Sequence, residues 1–220
     1  MLLVLLVWEL KAQAPQKDFQ IWGNFEMESP ITKRWMAHVQ HQTRFTENAT
    51  EYSYSYIDAG ALYRISRNLR FTFNYIFVDK KRTDDSYSYR NQFEGYFTYR
   101  KKFGKFVIFD RLLGDMQLKD FNSDQQGQRL RDFYLRNKIQ VRYKLFKRIV
   151  PYVAEETYYK FDGLYYEKGF NRTRFFFGVL INITDLWLFE TSYTLEYNHD
   201  AKIPTNNYML SFGVVKTFFQ

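Results

Sequence analysis

From Asp18 onward the chain alternates apolar and polar side chains. Phe19, Ile21, Gly23, Phe25 and Met27 fall on one face, and Asp18, Gln20, Asn24, Glu26 and Glu28 on the other. A period of two belongs to a β-strand, whose successive side chains point to opposite sides. After Pro30 a second strand sets Trp35, Ala37, Val39 and Phe45 against Arg34, His38, Gln40, Gln42 and Arg44. In a third, from Tyr52 to Ile65, the series Tyr52, Tyr54, Tyr56 changes phase to Ile57, Ala59, Ala61, Tyr63, which predicts a β-bulge. The fourth is the most regular: Leu69, Phe71, Phe73, Tyr75 and Phe77 alternate with Arg70, Thr72 and Asn74. Seven more strand-like segments follow near 87–100, 105–116, 130–145, 151–161, 171–183, 186–198 and 207–219.

These segments run to about ten to sixteen residues, against ~5–6 for a soluble strand and ~9–11 for a tilted strand crossing a bilayer. Short connections at 29–33, 66–68, 101–105, 146–150 and 184–185 exchange with longer polar ones near 46–51, 80–86, 117–129, 162–170 and 199–206. Outer-membrane barrels alternate short periplasmic turns with long external loops in this way. The expectation is an all-β fold, a single antiparallel transmembrane β-barrel. Both termini on one side of the membrane require an even strand number, so the eleven segments predict about 12 strands, with 10 as the alternative.

Composition fits this reading. The 23 Phe, 19 Tyr and 4 Trp make 21% of the chain aromatic, yet mean hydropathy is −0.51 because charged residues are interleaved with the rings. The absence of cysteine excludes disulfides, thiolate metal sites and cysteine nucleophiles. The net charge is +8, but its Lys and Arg are scattered through strands, which argues against a nucleic-acid partner. Met1 to Trp8 is an apolar run too short to span a membrane, and Ala12-Gln13-Ala14 has the small-x-small pattern of a secretory cleavage site. Residues 1–14 therefore read as a signal peptide, amino-terminally truncated because no positively charged segment precedes the run, and 15–220 as the barrel.

Alternation alone does not say which face is outside, and a soluble periplasmic calycin-like binding barrel has the same pattern turned inside out. Trp22, Trp35, Trp187, Tyr193 and Tyr197 near strand ends point to aromatic girdles and an apolar exterior. Tyr208, Leu210, Phe212, Val214 and Phe218-Phe219 resemble the last strand that outer-membrane proteins present for assembly, with Gln220 a departure.

Several stretches carry a family resemblance: Pro151-Tyr152-Val153-Ala154-Glu155-Glu156 leading to Phe161-Asp162-Gly163, Phe170 to Gly178, and Leu186-Trp187-Leu188-Phe189-Glu190. With the basic strand Arg131 to Tyr143, these resemble a family of small bacterial outer-membrane proteins known only as a domain of unknown function. Arg111-Leu112-Leu113 departs from it, lacking the acidic residue expected soon after the arginine. The resemblance implies a signal peptide followed by a barrel in the Gram-negative outer membrane and implies no activity.

With the apolar face on lipid, the lumen receives Arg90, Glu94, Arg100, Asp132, Arg136, Lys138, Arg142, Glu156, Arg172, Arg174, Glu190 and Glu196. Such a set either fills a narrow barrel with ion pairs or leaves excess arginine to attract anions along a pore. The leading expectation is a non-enzymatic small pore or a structural or accessory envelope subunit. Its partners are outer-membrane lipid and other envelope proteins, with the oligomeric state open. The alternative is a membrane-embedded lipid hydrolase or acyltransferase, which needs a histidine beside a hydroxyl. Of His38, His41 and His199, the first two lie on opposite faces of one strand, and all three read as solvated or girdle residues. No phosphate loop, zinc motif or nucleophile elbow occurs, so no catalytic residue, metal or cofactor is expected.

Overall fold

The computed structural model describes residues 16–81, 85–118, 131–161, 169–199 and 205–218. The predicted leader and most of the predicted loops near 117–129, 162–170 and 199–206 lie outside the described residues. The described chain is all-β. Its strands are β1 (Gln16–Pro30), β2 (Trp35–Thr46), β3 (Glu51–Arg64), β4 (Leu69–Lys81), β5 (Tyr87–Phe103) and β6 (Phe106–Leu118), followed by β7 (Arg131–Tyr143), β8 (Ile149–Lys160), β9 (Gly169–Asn182), β10 (Trp187–Asn198) and β11 (Thr205–Thr217).

Each strand pairs antiparallel with the next, and β1 closes the barrel against β11 in parallel, from Gln16↔Thr205 to Glu28↔Thr217. The barrel therefore has eleven strands, correcting both the expected twelve and the alternative ten, and it is mixed rather than wholly antiparallel. The even-number rule holds only when the first and last strands run in opposite directions. A parallel seam accepts an odd number and puts Gln16 and Thr217 at opposite rims.

Residues 31–34, 65–68, 104–105, 144–148 and 183–186 connect strands at one rim, here the short-turn rim. At the opposite rim the connections include the gaps 82–86, 119–130, 161–168 and 199–204. The connection expected to be long at 46–51 is only 47–50. It turns tightly because Glu47, Asn48 and Ala49 all take positive φ, of 52°, 58° and 64°. Non-glycine residues rarely adopt this conformation, and the Asp18 carboxylate holds it by accepting the Asn48 backbone N–H at 2.9 Å.

The apolar face is the outer one. Each of the eleven strands exposes a large apolar or aromatic side chain on its outer surface, in order Phe25, Val39, Ile57, Phe73, Phe97, Leu112, Ile139, Val153, Phe177, Tyr193 and Phe212. Neighbouring rings touch across strands, as in Phe71–Phe97 with centroids at 5.0 Å and Phe77–Tyr89 stacked at 5.8 Å. The belt is interrupted on β6–β8, where Asn137 donates to Asp110 at 2.8 Å and Glu155 is exposed. Inside, the buried set is largely polar: Asp58, Asn74, Glu94, Asp115, Glu156, Arg174 and Glu196. This is the reverse of a calycin-like interior.

Two details of facing differ from the sequence reading. Trp22 is buried in the lumen instead of joining a girdle, because it shares a face with Gln20 and Asn24 and lies beneath two guanidinium groups. The irregularity in β3 falls at Ser53, where the register shifts between Arg44 and Phe45 of β2. Tyr54 and Tyr56 therefore point inward while Tyr52 packs outside against Phe45.

Candidate functional site

The strands bring the predicted lumen charges to one surface and sort them into two groups. Glu94, Arg136, Glu156, Arg172, Arg174 and Glu196 converge from the middle of the barrel toward the rim opposite the short turns. Arg136 is the hub: its Nη1 lies 3.0 Å from Glu94 Oε1, its Nη2 2.8 Å from Glu156 Oε1, and Asp115 is 3.9 Å away. Arg174 Nε binds Glu196 Oε2 at 2.6 Å, and its Nη1 donates to the Tyr158 hydroxyl at 2.5 Å. That hydroxyl donates in turn to Glu156 Oε2 at 3.0 Å. Gln92 and Asn207 donate to Glu94 and Glu196, each at 2.8 Å, and Arg172 lies 3.7 Å from Glu196. Burial of so many ions is tolerated only when partners satisfy them, and these carboxylates each have at least one cation and one neutral donor.

Trp22 carries the network across to β1 and β2. Arg44 stacks 4.0 Å above its ring and Arg174 lies 5.4 Å from it. Gln40 bridges Asn24 and the Tyr56 hydroxyl at 2.5 and 3.1 Å. A cavity of about 390 Å³ remains among these groups.

The remaining predicted residues lie elsewhere. Asp132 is buried 3.9 Å from Lys160, and Arg90 shares the inward face of β5 with Gln92 and Glu94. Arg100, Arg142 and Glu190 line a second, larger cavity of about 880 Å³ toward the short-turn rim, and Lys138 lines both cavities. There the Tyr152 hydroxyl hydrogen-bonds Glu190, and the Tyr152 ring lies over Gly178. A methyl group on Gly178 would sit 2.6 Å from Tyr152 Cε1. Gly178→Ala is expected to displace the ring and cost about 1–3 kcal/mol by overpacking, read as a lower unfolding midpoint, with Gly95→Ala, where a Cβ has room, as the control.

Sequence reasoning missed Trp22, Arg44, Asp115, Tyr158, Arg70 and Arg111. Asp115 was within reach, since alternation along β6 puts it on the inward face with Val107 and Leu113. His38 is a correction: it is neither solvated nor in a girdle, but buried with Nε2 3.7 Å from Asp58 Oδ1. Asn74 donates to Asp58 Oδ2 at 2.8 Å. His41 and His199 are exposed. Among the described residues neither His38 nor His199 hydrogen-bonds a Ser or Thr hydroxyl, the contact on which the hydrolase reading depends.

Comparison with known proteins places this geometry. The chain matches the family described as "Protein of unknown function (DUF2490)" over residues 19–207. It belongs to that family. The match runs from β1 into β11, so the barrel itself is the family's domain. No curated protein matches. Among solved structures, a "Bacterial polysaccharide outer membrane secretin" is similar with a TM-score of 0.52 at 9% identity, covering 83% of this chain and 74% of that one. At that identity the likeness is one of fold.

Proposed function

We propose that this chain is a Gram-negative outer-membrane β-barrel without chemistry of its own. In this reading the ion-pair network plugs its lumen around a small cavity, and the larger cavity toward the short-turn rim forms a vestibule. The observation that carries the reading is the outward apolar side chain on every one of the eleven strands around a charged interior. Lipid accepts such a belt, and a closed barrel leaves no strand edge unpaired. The fold likeness to an outer-membrane secretin supports the same location. Short turns then face the periplasm and the opposite rim faces outward, with lipid as the main partner and room for an envelope protein at the polar interruption on β6–β8.

On fractionation of the envelope, the chain is expected in the outer membrane and is expected to migrate faster on a gel unheated than boiled. Recovery as a soluble periplasmic protein overturns the reading. In a planar bilayer the wild-type barrel is expected to give no stable conductance steps. Stable anion-selective steps would replace the plugged barrel with a pore.

A further inference from the structure

The vestibule differs from the paired network in one respect. Arg70, Arg100, Arg111, Lys138 and Arg142, from four consecutive strands β4–β7, line it, and none has a carboxylate within 4.0 Å among the described residues. Arg111 and Lys138 are direct cross-strand partners, an arrangement that is destabilising for like charges. Glu156, the neighbour of Lys138 on β8, is turned to Arg136 instead. Aromatic faces hold three of these cations in place: Arg111 lies 4.6 Å from the Tyr96 ring, Lys138 3.8 Å from Phe176 and Arg142 4.3 Å from Phe109. Such contacts orient a cation without giving it a carboxylate partner in direct contact.

The wall contributed by β8–β10 is of the other kind. Tyr152, Leu180, Phe176 and Leu188 form one apolar cluster inside the barrel, and all four line the same cavity. The vestibule carboxylates are Glu26 and Glu28 on β1 and Glu190 on β10, and among the described residues none lies within 4.0 Å of these cations. A free inorganic anion would use the cations alone, and a neutral chain the apolar cluster alone.

We infer that the vestibule binds an amphiphile of one acyl chain with an anionic head, the head on Arg111 and Lys138 and the chain along the Leu180 cluster. A cavity of about 880 Å³ has room for one such molecule. The inference rests on the barrel reading above but fails separately from it.

The test uses the full chain purified from the envelope in a neutral detergent and checked for heat modifiability, so that a chain that is not a membrane barrel is recognised first. Palmitate and lysophosphatidylglycerol are titrated by native mass spectrometry. One molecule per barrel of either is expected to bind saturably, the tighter of the two identifying whether the head is a fatty-acid carboxylate or a phospholipid phosphate. Arg111→Gln with Lys138→Gln is expected to weaken binding about tenfold or more, as loss of charge-assisted hydrogen bonds does. Leu180→Asn is expected to weaken it while inorganic phosphate does not compete. A heat-modifiable barrel that binds neither probe, binds them equally in the double variant, or releases them to millimolar phosphate overturns the inference.

Discussion

Glu156→Leu is expected to destabilise the barrel by about 3–5 kcal/mol, the cost of leaving buried charge without its partner. Glu156 is the carboxylate shared by the two central arginines: Arg136 binds one of its oxygens at 2.8 Å, and the other lies 3.8 Å from Arg174. Its side chain is 5% exposed, so water has little access to replace it. The midpoint of urea unfolding in detergent checks the prediction, and Trp22, which touches Arg174, supplies a fluorescence signal from inside the network. Adding Arg136→Met to Glu156→Leu is expected to deepen the loss, because Arg136 is also the cation of buried Glu94 and Asp115, which are then left unpaired. An unchanged midpoint for Glu156→Leu would mean that the lumen is hydrated and the network carries no stability.

The second large effect is expected on the outside. Val153 is 51% exposed and lies between Val141 of β7 and Phe177 of β9 in the register of the outer face. Val153→Arg is expected to cost about 2–4 kcal/mol in liposomes if this surface meets the bilayer core, whereas an exposed surface substitution in water stays within about 0.5 kcal/mol. Reversible unfolding from liposomes measures it. A loss below about 0.5 kcal/mol would show that the belt faces water.

The positions of all eleven strands were legible because alternation is a property of each segment by itself. Their number was misjudged by adding a rule about closure, and only the β1–β11 pairing shows which rule applies. Inward and outward sets were likewise legible, since a residue such as Glu156 and its neighbour Glu155 must diverge on a strand. The exceptions arise where local geometry breaks parity, at the Ser53 bulge, or where the ring of Trp22 meets cations from other strands. What the sequence did not contain was the pairing. Sliding one strand by two residues keeps every side chain on its face yet changes its partners, so the contact of Arg136 with Glu94, two strands away, depends on register and curvature together. For the same reason Arg100 and Arg142 looked like members of one network with Arg136, although they face a different cavity.

The parallel seam has a consequence for the order in which the wall is assembled. Ten of the eleven strand pairs are hairpins between sequence neighbours, which can form as soon as each turn does. The seam joins strands whose facing residues are 189 positions apart, as in the Thr217–Glu28 contact. It bears the largest loop-closure entropy and has the slightly weaker hydrogen-bond geometry of a parallel pair. The sheet is therefore expected to grow as an open, curled ribbon with β1 and β11 as its free edges and to close last at the seam, and Trp22 is held between Arg44 and Arg174 only when the ring is complete.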